Sequence, residues 1–419
     1  MSLLLAAGLV LLALYGVPLF VVLATIALLA FHAEGYDTAA VTLEMTRLAS
    51  SPMLVAIPLF TFAGYVFSEA GTPGRIVRLS RALLGWFPGG LAIVGLGACA
   101  VFTAFTGASG VTIIAMGGLL LPALREDGYP QRFSLGLLTT SGSLGLLFPP
   151  SLPIILFAYV ASVSVDELFR AGVVPGILLI GLLSLYAMRV GRGIRQRRRR
   201  SAVEVWRAVR AAAWELPLPV VVLGGIYSGT ITITEAAAIT AFYALVVEFL
   251  VYRDIPLRAL PRVMSESMTL VGGILIILAA ALGLTNYLVD AEVPFVILDW
   301  MQQYVSSPLV FLLMLNAFLL VVGCLMDIFS ALIVVVPLIV PIAEGYGVNL
   351  LHLGIIFLTN LEIGYSTPPV GLNLFIASFR FRQPVTTLYR ASLPFLAILL
   401  VALAIITYVP ALSLFLVGR

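Results

Sequence analysis

The chain has 419 residues, of which 61% are hydrophobic and only 10% are charged, and its mean hydropathy is +1.13. This composition excludes a single soluble domain, because one soluble core cannot cover so much apolar side chain. The net charge of +3, with all 23 basic residues being arginine, excludes a globally basic nucleic-acid-binding protein. We therefore predict an all-α integral membrane protein, since helices satisfy their own backbone hydrogen bonds in lipid.

Apolar runs long enough to cross a bilayer recur along the chain. A crossing needs about 20 residues at the helical rise. The predicted crossings are 3–31, 53–68, 133–162, 172–190, 231–252, 267–289, 351–379 and 391–417, with a shorter ninth candidate at 216–229. The first run is too long for the core of a signal peptide and follows no basic segment, so we expect a retained helix.

Two further apolar stretches, 89–124 and 308–343, are too long for one helix and carry small or polar residues near their middle. This pattern is typical of a re-entrant helical hairpin. The runs 133–162 and 351–379 are interrupted by Gly, Ser and Thr followed by Pro-Pro, which removes two consecutive backbone donors. The sequence thus predicts two re-entrant hairpins and two broken helices.

Arginine clusters predict the orientation, because short Arg-rich loops stay in the cytoplasm. The clusters are Arg75, Arg78 and Arg81; Arg125 and Arg132; Arg192, Arg195 and Arg197 to Arg200; Arg253, Arg258 and Arg262; and Arg380, Arg382 and Arg390. They alternate with acidic or Arg-poor segments if both hairpins turn back. This puts the N-terminus in the cytoplasm and the C-terminus outside, which is the periplasm if the membrane is a bacterial inner membrane. The run at 192–200 could bind nucleic acid or lipid headgroups in isolation, but orientation explains it without a partner.

An internal repeat appears when the chain is compared with itself at an offset of 219 residues, the separation of Pro122 and Pro341. The same offset aligns Gly128 with Gly347, Gly145 with Gly364, and Pro149-Pro150 with Pro368-Pro369, as well as both hairpins and both broken helices. Because the loop charges invert between the copies, we predict an inverted repeat. The predicted units are 1–190, a linker with the start of a connecting helix at 191–219, and 220–419. Such repeats are typical of secondary transporters.

The four interruptions are the predicted ion and substrate sites. Freed carbonyls at helix C-terminal ends suit a small hard cation such as Na⁺, and helix N-termini attract an anionic group. The two copies therefore predict at least two cation sites, although ordinary helix packing is the alternative for any single small residue. The predicted residues are Thr106, Gly107, Ser109, Gly110, Ser141, Gly142, Ser143, Pro149, Pro150, Asp327, Asn360, Gly364, Thr367, Pro368, Pro369 and Asn373.

Ionisable groups inside apolar stretches are costly and are candidates for function. Asp327, near the middle of 308–343, is the main candidate, with a buried helix-capping or packing role as its alternative. Glu235 and Glu362 are weaker candidates, because either can lie near a surface. The scarcity of buried titratable groups favours Na⁺ over a proton relay.

These motifs resemble the large membrane subunit of the tripartite ATP-independent periplasmic (TRAP) transporters, the DctM-like family. The resemblance covers essentially the whole chain and rests on IPLFTFAGYVFSEAG, FTGASGVTIIAMGGLLLPAL, TTSGSLGLLFPPSLPIILFA, ITITEAAAITAFYAL and STPPVGLNLFIAS. One departure is the stretch 231–235, where family members commonly have a proline before the Thr-Glu pair, so the local helix start is uncertain from sequence.

The resemblance implies a Na⁺-coupled importer of an organic acid, such as a dicarboxylate, sugar acid or sialic acid, in a bacterial or archaeal inner membrane. It implies an elevator-type fold of the ion-transporter superfamily, a periplasmic substrate-binding protein, and a separate small membrane subunit of about four helices. We expect no organic cofactor and no enzymatic activity. The alternatives are a stand-alone Na⁺:carboxylate symporter that needs no binding protein and, from another class, a channel or membrane enzyme.

Overall fold

The computed structural model describes residues 17–33, 35, 37–39, 42, 43, 46, 48, 50–194 and 202–418. The first part of the predicted run 3–31 and the arginines between 195 and 200 lie outside the described residues. So does the N-terminus, whose cytoplasmic placement stays a prediction.

The described residues form α-helices joined by short turns, without β-strands. The helices are α1 (Leu19–Ala33), α2 (Ala56–Glu69), α3 (Thr72–Leu84), α4 (Gly90–Thr106), α5 (Ser109–Glu126), α6 (Gln131–Ser141), α7 (Leu152–Val160), α8 (Val165–Gly191), α9 (Ala202–Ala211), α10 (Pro217–Tyr227), α11 (Ile233–Leu245), α12 (Leu260–Asp290), α13 (Val293–Tyr304), α14 (Pro308–Leu325), α15 (Ile328–Gly345), α16 (Leu350–Gly364), α17 (Leu372–Phe381), α18 (Val385–Tyr408) and α19 (Ala411–Leu414). A π-helical turn, Val246–Val251, extends α11, and 3₁₀ turns lie at Pro52–Val55, Leu144–Leu147 and Leu257–Ala259.

Seven helices in the described ranges are long and apolar enough to cross a membrane, and counting two bent helix pairs as single crossings gives nine. Each predicted crossing from 53 onward contains at least one helix; for example, α12 covers 267–289 and α8 covers 172–190. The predicted all-α, multi-crossing membrane fold is therefore confirmed.

Both predicted hairpins are present as pairs of helices. The first is α4 and α5, which reverse at Gly107 and Ala108; Gly107 has a φ of +64°, in the left-handed region that glycine adopts without a steric penalty. The second is α14 and α15, which reverse at Met326 and Asp327. We call these turns the first tip and the second tip.

Both predicted broken helices are present as well. The first consists of α6, the 3₁₀ turn Leu144–Leu147 and α7, with a bend of 47° between its two parts. The second consists of α16 and α17, separated by residues 365–371. Pro149-Pro150 and Pro368-Pro369, one pair in each break, both have cis peptide bonds.

The hairpins and broken helices interlock across the two halves of the chain. Helix α5 packs on α17 and α15 packs on α7, so each hairpin contacts the broken helix of the other half. Each tip also meets the break of its own half at a glycine: a Cβ at Gly145 would lie 2.6 Å from the Ala104 nitrogen, and one at Gly364 would lie 2.5 Å from the Gly323 carbonyl carbon. Each tip thus lies beside the interruption of a broken helix, and it stays a prediction that the hairpins turn back without crossing the membrane.

A second group of helices, α1, α2, α11 and α12, packs mainly within itself. The order of elements in the second half follows that of the first, with α11 to α18 in the places of α1 to α8. The inverted relation between the halves stays a prediction.

The helix start that the sequence left uncertain is well defined. The Thr232 side chain accepts a hydrogen bond from the Glu235 nitrogen, and a Glu235 carboxylate oxygen accepts one from the Thr232 nitrogen at 2.7 Å. These two hydrogen bonds form a capping box, which fixes the start of α11 without a proline. It also accounts for Glu235, which lies at the surface.

Candidate functional site

The first tip and the first break join two helix C-terminal ends, and we call this contact the first junction. Thr103, in the last turn of α4, donates a hydrogen bond to the Gly142 carbonyl oxygen at 2.9 Å, just after the end of α6. A Cβ at Gly107 would lie 2.5 Å from Leu152 Cδ1, so the tip fits only without a side chain at this position. Two sets of helix-end carbonyls, each carrying partial negative charge, thus lie together.

The second junction repeats this arrangement between the ends of α14 and α16. Gly364 packs directly on Gly323, and the Gly371 nitrogen donates to the Cys324 carbonyl oxygen at 3.0 Å. The Tyr365 hydroxyl accepts a hydrogen bond from the Ile328 nitrogen at the start of α15. Each junction therefore offers carbonyl oxygens of the kind that suits a small hard cation.

Between the junctions, two helix N-termini meet. Ser109, the first residue of α5, donates from Oγ to Asn373 Oδ1 at 2.8 Å, and Asn373 lies in the first turn of α17. Gly110 permits the approach, because a Cβ there would lie 2.7 Å from Ile376 Cδ1. Two converging helix N-termini give a positive potential and backbone donors that suit an anionic group.

Several buried polar atoms around these contacts have no hydrogen-bond partner among the described residues. They include the Ser141 and Ser366 hydroxyls and the Asn373 side-chain nitrogen. Buried polar atoms are normally paired, so such atoms indicate where water, an ion or a ligand binds. The breaks also differ in exposure: Pro149 and Pro150 are buried, whereas Pro369 is exposed.

The remaining predicted residues lie at the junctions or on the helices that lead to them. Thr106 Oγ1 is 3.5 Å from the carbonyl oxygens of Thr103 and Ala108. Thr367 donates to the Ile363 carbonyl oxygen at 2.9 Å. Asn360 instead donates to Asn316 Oδ1 at 2.7 Å, toward the middle of α14 rather than toward either tip.

Asp327 does not have the buried environment that the sequence predicted. Its side chain is exposed at the second tip, where Oδ1 accepts hydrogen bonds from the Phe329 and Ser330 nitrogens at 3.0 and 3.1 Å. The Ser330 hydroxyl also donates to Asp327. An Asp before a helix satisfies the free amides of the first turn, and Asp327 caps α15 in this way, at the surface rather than buried. Its role at an ion or substrate site stays a prediction.

Glu362, for which the sequence left a position near a surface open, is buried. It is 1% exposed, and neither of its carboxylate oxygens has a hydrogen-bond partner among the described residues. Its position in the last turn of α16, between a buried Leu361 and a buried Ile363, could not be inferred from an apolar run alone.

Sequence reasoning also missed a buried ionic cluster, which we call the Arg75 network. Arg75, on α3, pairs with Glu215, Glu248 and Asp254, and its Nη2 lies 2.8 Å from Glu248 Oε2. Its guanidinium carbon stacks 3.7 Å from the centre of the Tyr252 ring. The Tyr252 hydroxyl donates a hydrogen bond to the Glu215 carboxylate at 2.9 Å. The sequence indicated Arg75 only as a loop charge.

An open cavity of about 600 Å³ lies beside α5 and α17, the two helices whose N-termini meet at Ser109 and Asn373. It is lined by Ile114 together with Ser378, Phe379, Arg380 and Arg382. The two arginines give this cavity a positive potential, which attracts anions toward it.

Comparison with known proteins identifies one family over nearly the whole chain. Residues 6–412 match "Tripartite ATP-independent periplasmic transporter, DctM component". A relative from Pseudomonas aeruginosa, the C4-dicarboxylate TRAP transporter large permease protein DctM, is 40% identical over 86% of this chain and 85% of its own length. The isethionate TRAP transporter permease protein DctMQ of Oleidesulfovibrio alaskensis is 36% identical over 96% of this chain but only 64% of its own length.

Solved structures with a similar fold include a transporter. The YdaH transporter of Alcanivorax borkumensis, whose crystal structure has an unusual topology, aligns with a TM-score of 0.63 over 89% of this chain and 87% of its own. The sequence identity is 14%, so this likeness concerns the fold alone.

Proposed function

The chain belongs to the DctM component family of the tripartite ATP-independent periplasmic transporters, and we propose that it is the large membrane subunit of a Na⁺-coupled importer of an organic acid. The relatives at 40% and 36% identity are named for a C4-dicarboxylate and for isethionate. Both substrates are small organic anions, which supports an anionic substrate for this protein.

The observation that carries the proposal is the arrangement of helix ends. At Ser109 and Asn373 two helix N-termini converge, and the Asn373 side-chain nitrogen is left free to donate. We assign the carboxylate of the substrate to this position, since helix N-termini and amide donors stabilise negative charge.

The coupling ions belong at the two junctions. The ends of α4 and α6 present carbonyl oxygens at Thr103 and Gly142, and the ends of α14 and α16 do the same near Cys324 and Ile363. Oxygens of this kind suit Na⁺. Binding Na⁺ at both junctions would surround the anion with positive charge, so ion and substrate would each increase the affinity for the other.

The helix packing supports an elevator mechanism. The hairpins and broken helices interlock into one packed group, while α1, α2, α11 and α12 form another. We propose that the interlocked group carries the bound substrate and ions across the membrane as a rigid body against the second group. The buried first break and exposed second break are the asymmetry expected of one end state of such a motion.

We propose two protein partners, a small membrane subunit and a periplasmic substrate-binding protein. The relative named DctMQ supports the first, because the match covers only 64% of that protein and leaves room in it for a further membrane subunit. The family description, a tripartite periplasmic transporter, supports the second.

The test is uptake of a labelled C4-dicarboxylate into liposomes that contain this chain, its small subunit and the loaded binding protein. We expect uptake that requires an inward Na⁺ gradient and falls sharply in the Asn373→Ala variant. Thr269→Ala, on the exposed face of α12, is the matched control and should transport normally.

The outcomes separate the alternatives. Uptake that is indifferent to the Na⁺ gradient would contradict Na⁺ coupling. Uptake without the binding protein would favour the stand-alone symporter, and ion conductance without coupled uptake would favour a channel.

A further inference from the structure

Helices α5 and α17 run side by side in the same direction from the point where their N-termini meet. Near that point a Cβ at Gly110 would lie 2.7 Å from Ile376 Cδ1. Further along both helices a Cβ at Gly117 would lie 2.8 Å from Phe381 Cζ. The helix pair therefore extends without a gap from the anion position to the C-terminal end of α17.

The open cavity beside this helix pair has a size that suits a small organic anion. Its volume of about 600 Å³ lies within the roughly 300–1,000 Å³ that is usual for small-molecule sites. Arg380, which lines it, follows Asn373 on α17 by a helical rise of about 10 Å. The cavity is thus separate from the anion position but lies on the same helix pair.

The two arginines that line the cavity are positioned by the fold. A Cβ at Gly118 would clash with the Arg380 guanidinium, so this side chain lies directly against the backbone of α5. Arg382 ends α17 with a φ of +51°, in a turn where the Ser378 hydroxyl donates to the Gln383 carbonyl oxygen at 2.6 Å. A guanidinium group can bind a carboxylate through two parallel hydrogen bonds. The cavity therefore offers two groups that suit a carboxylate.

The charges around this cavity are almost all positive. None of the ion pairs within the described ranges includes Arg380 or Arg382. The acidic groups at the end of α5, Glu126 and Asp127, lie 4.0 and 2.7 Å from Arg81 instead. The remaining charged residues of α5, α6 and α18, the helices that pack on α17, are all arginines: Arg125, Arg132 and Arg390. An anion in the cavity would therefore meet positive charge from several helices.

A carboxylate that leaves the anion position gives up two helix N-termini, and an unpaired anion in a poorly hydrated path is costly. We propose that the cavity is a second anion site, in which Arg380 and Arg382 bind the carboxylate of the organic acid after it leaves Asn373. The identity of the anion rests on the proposed function. Because the arginine clusters predict that this end of α17 faces the cytoplasm, the second site lies on the release side.

Thiol labelling of an Ile114→Cys variant tests this proposal. Ile114 lines the cavity and is 49% exposed, whereas the native Cys99 and Cys324 are buried. The purified full-length variant, in nanodiscs of neutral phosphatidylcholine, is labelled with a negatively charged thiol reagent in the presence of choline succinate. We expect succinate to slow the labelling more than choline chloride of equal ionic strength does. The wild type gives the background labelling.

Further substitutions in the Ile114→Cys protein assign the effect to the arginines. Arg380→Gln should raise the half-protecting succinate concentration about tenfold, the lower end for hydrogen bonds to charged groups, because the cavity is open. Arg380→Lys, which keeps the charge, should retain part of the protection and covers a failure of the glutamine variant to fold. Arg390→Gln is the matched control, because this exposed arginine does not line the cavity, and it should leave the concentration unchanged.

The proposal is overturned if succinate protects no better than chloride, if Arg380→Gln protects as well as its parent, or if Arg390→Gln loses as much. Protection by phosphatidylglycerol in the nanodisc that succinate does not displace would also overturn it, because the cavity would then hold a lipid headgroup. Loss of protection in Asn373→Ala would place the effect at the first anion position. The labelling needs neither uptake nor Na⁺, so its failure and a failure of the proposed Na⁺-coupled import are distinguishable.

Discussion

Replacing Arg75 with methionine removes the cation of the Arg75 network while keeping much of the side-chain volume. Arg75 is 7% exposed, and the replacement leaves Glu248, which is fully buried, and Glu215, which is 8% exposed, without their counter-charge. Removing one partner of a buried ion pair costs about 3–5 kcal/mol, because the other charge remains desolvated. Asp254 is 28% exposed and can be hydrated, so it adds little.

The exposed ion pair between Arg262 and Glu69 is the matched control. These side chains are 55% and 41% exposed, and an exposed pair is worth about 0–1 kcal/mol. We therefore expect Arg75→Met to lower the free energy of unfolding by several times as much as Arg262→Met. The assay is unfolding of the purified protein by SDS in mixed micelles, followed by loss of helical circular dichroism.

A double variant tests the cause. If unpaired negative charge is what destabilises the protein, adding Glu248→Gln to Arg75→Met should restore part of the lost stability. Equal losses for Arg75→Met and Arg262→Met, or a double variant whose losses simply add, would refute the reasoning.

Three further predictions concern the junctions and the anion position. Gly364→Ala should lower the free energy of unfolding by about 1–3 kcal/mol, because the added methyl group overpacks the contact with Gly323. The control is Gly273→Ala in α12, where open space surrounds the glycine and the change should be neutral or stabilising by up to about 1 kcal/mol. SDS unfolding measures both variants, and equal effects would argue against the close contact at Gly364. Asp327→Ala should lower the free energy of unfolding by about 1 kcal/mol, because it removes the helix cap. Asp327→Asn can still cap the helix, so it should retain both stability and Na⁺-dependent uptake. A loss of Na⁺ dependence in the asparagine variant would show that Asp327 is an ion ligand. Ser109→Ala removes the hydrogen bond to Asn373, which is worth about 0.5–1.5 kcal/mol, and should raise the KM for the organic acid in liposome uptake. An unchanged KM would show that this contact is not part of the substrate site.

Much of the fold could be predicted from the order of apolar runs. Crossing helices, hairpins and breaks are local features, because their length and their Gly, Ser and Pro content depend on neighbouring residues in the chain. The tip at Gly107 and the break at Pro149-Pro150 are examples, and the offset that aligns Gly145 with Gly364 correctly indicated two glycines that pack in equivalent places. At the junctions, Gly107, Gly142 and Gly364 were among the residues predicted from these motifs, whereas Thr103 and Cys324 were not.

The charge state and surroundings of single polar residues depended on the tertiary structure. Asp327 and Glu362 both lie at interruptions of apolar stretches, yet one caps a helix at the surface and the other is enclosed without a partner. The sequence indicates Arg75 only as one of the arginines of a cytoplasmic loop, because its partners Glu215 and Glu248 are distant in the sequence. The sequence by itself thus determined that the chain crosses a membrane and where it turns back, since hydropathy and backbone propensity are local. Only the packing of distant helices decided which ionisable groups are paired, exposed or isolated, because desolvation depends on what surrounds a group in space.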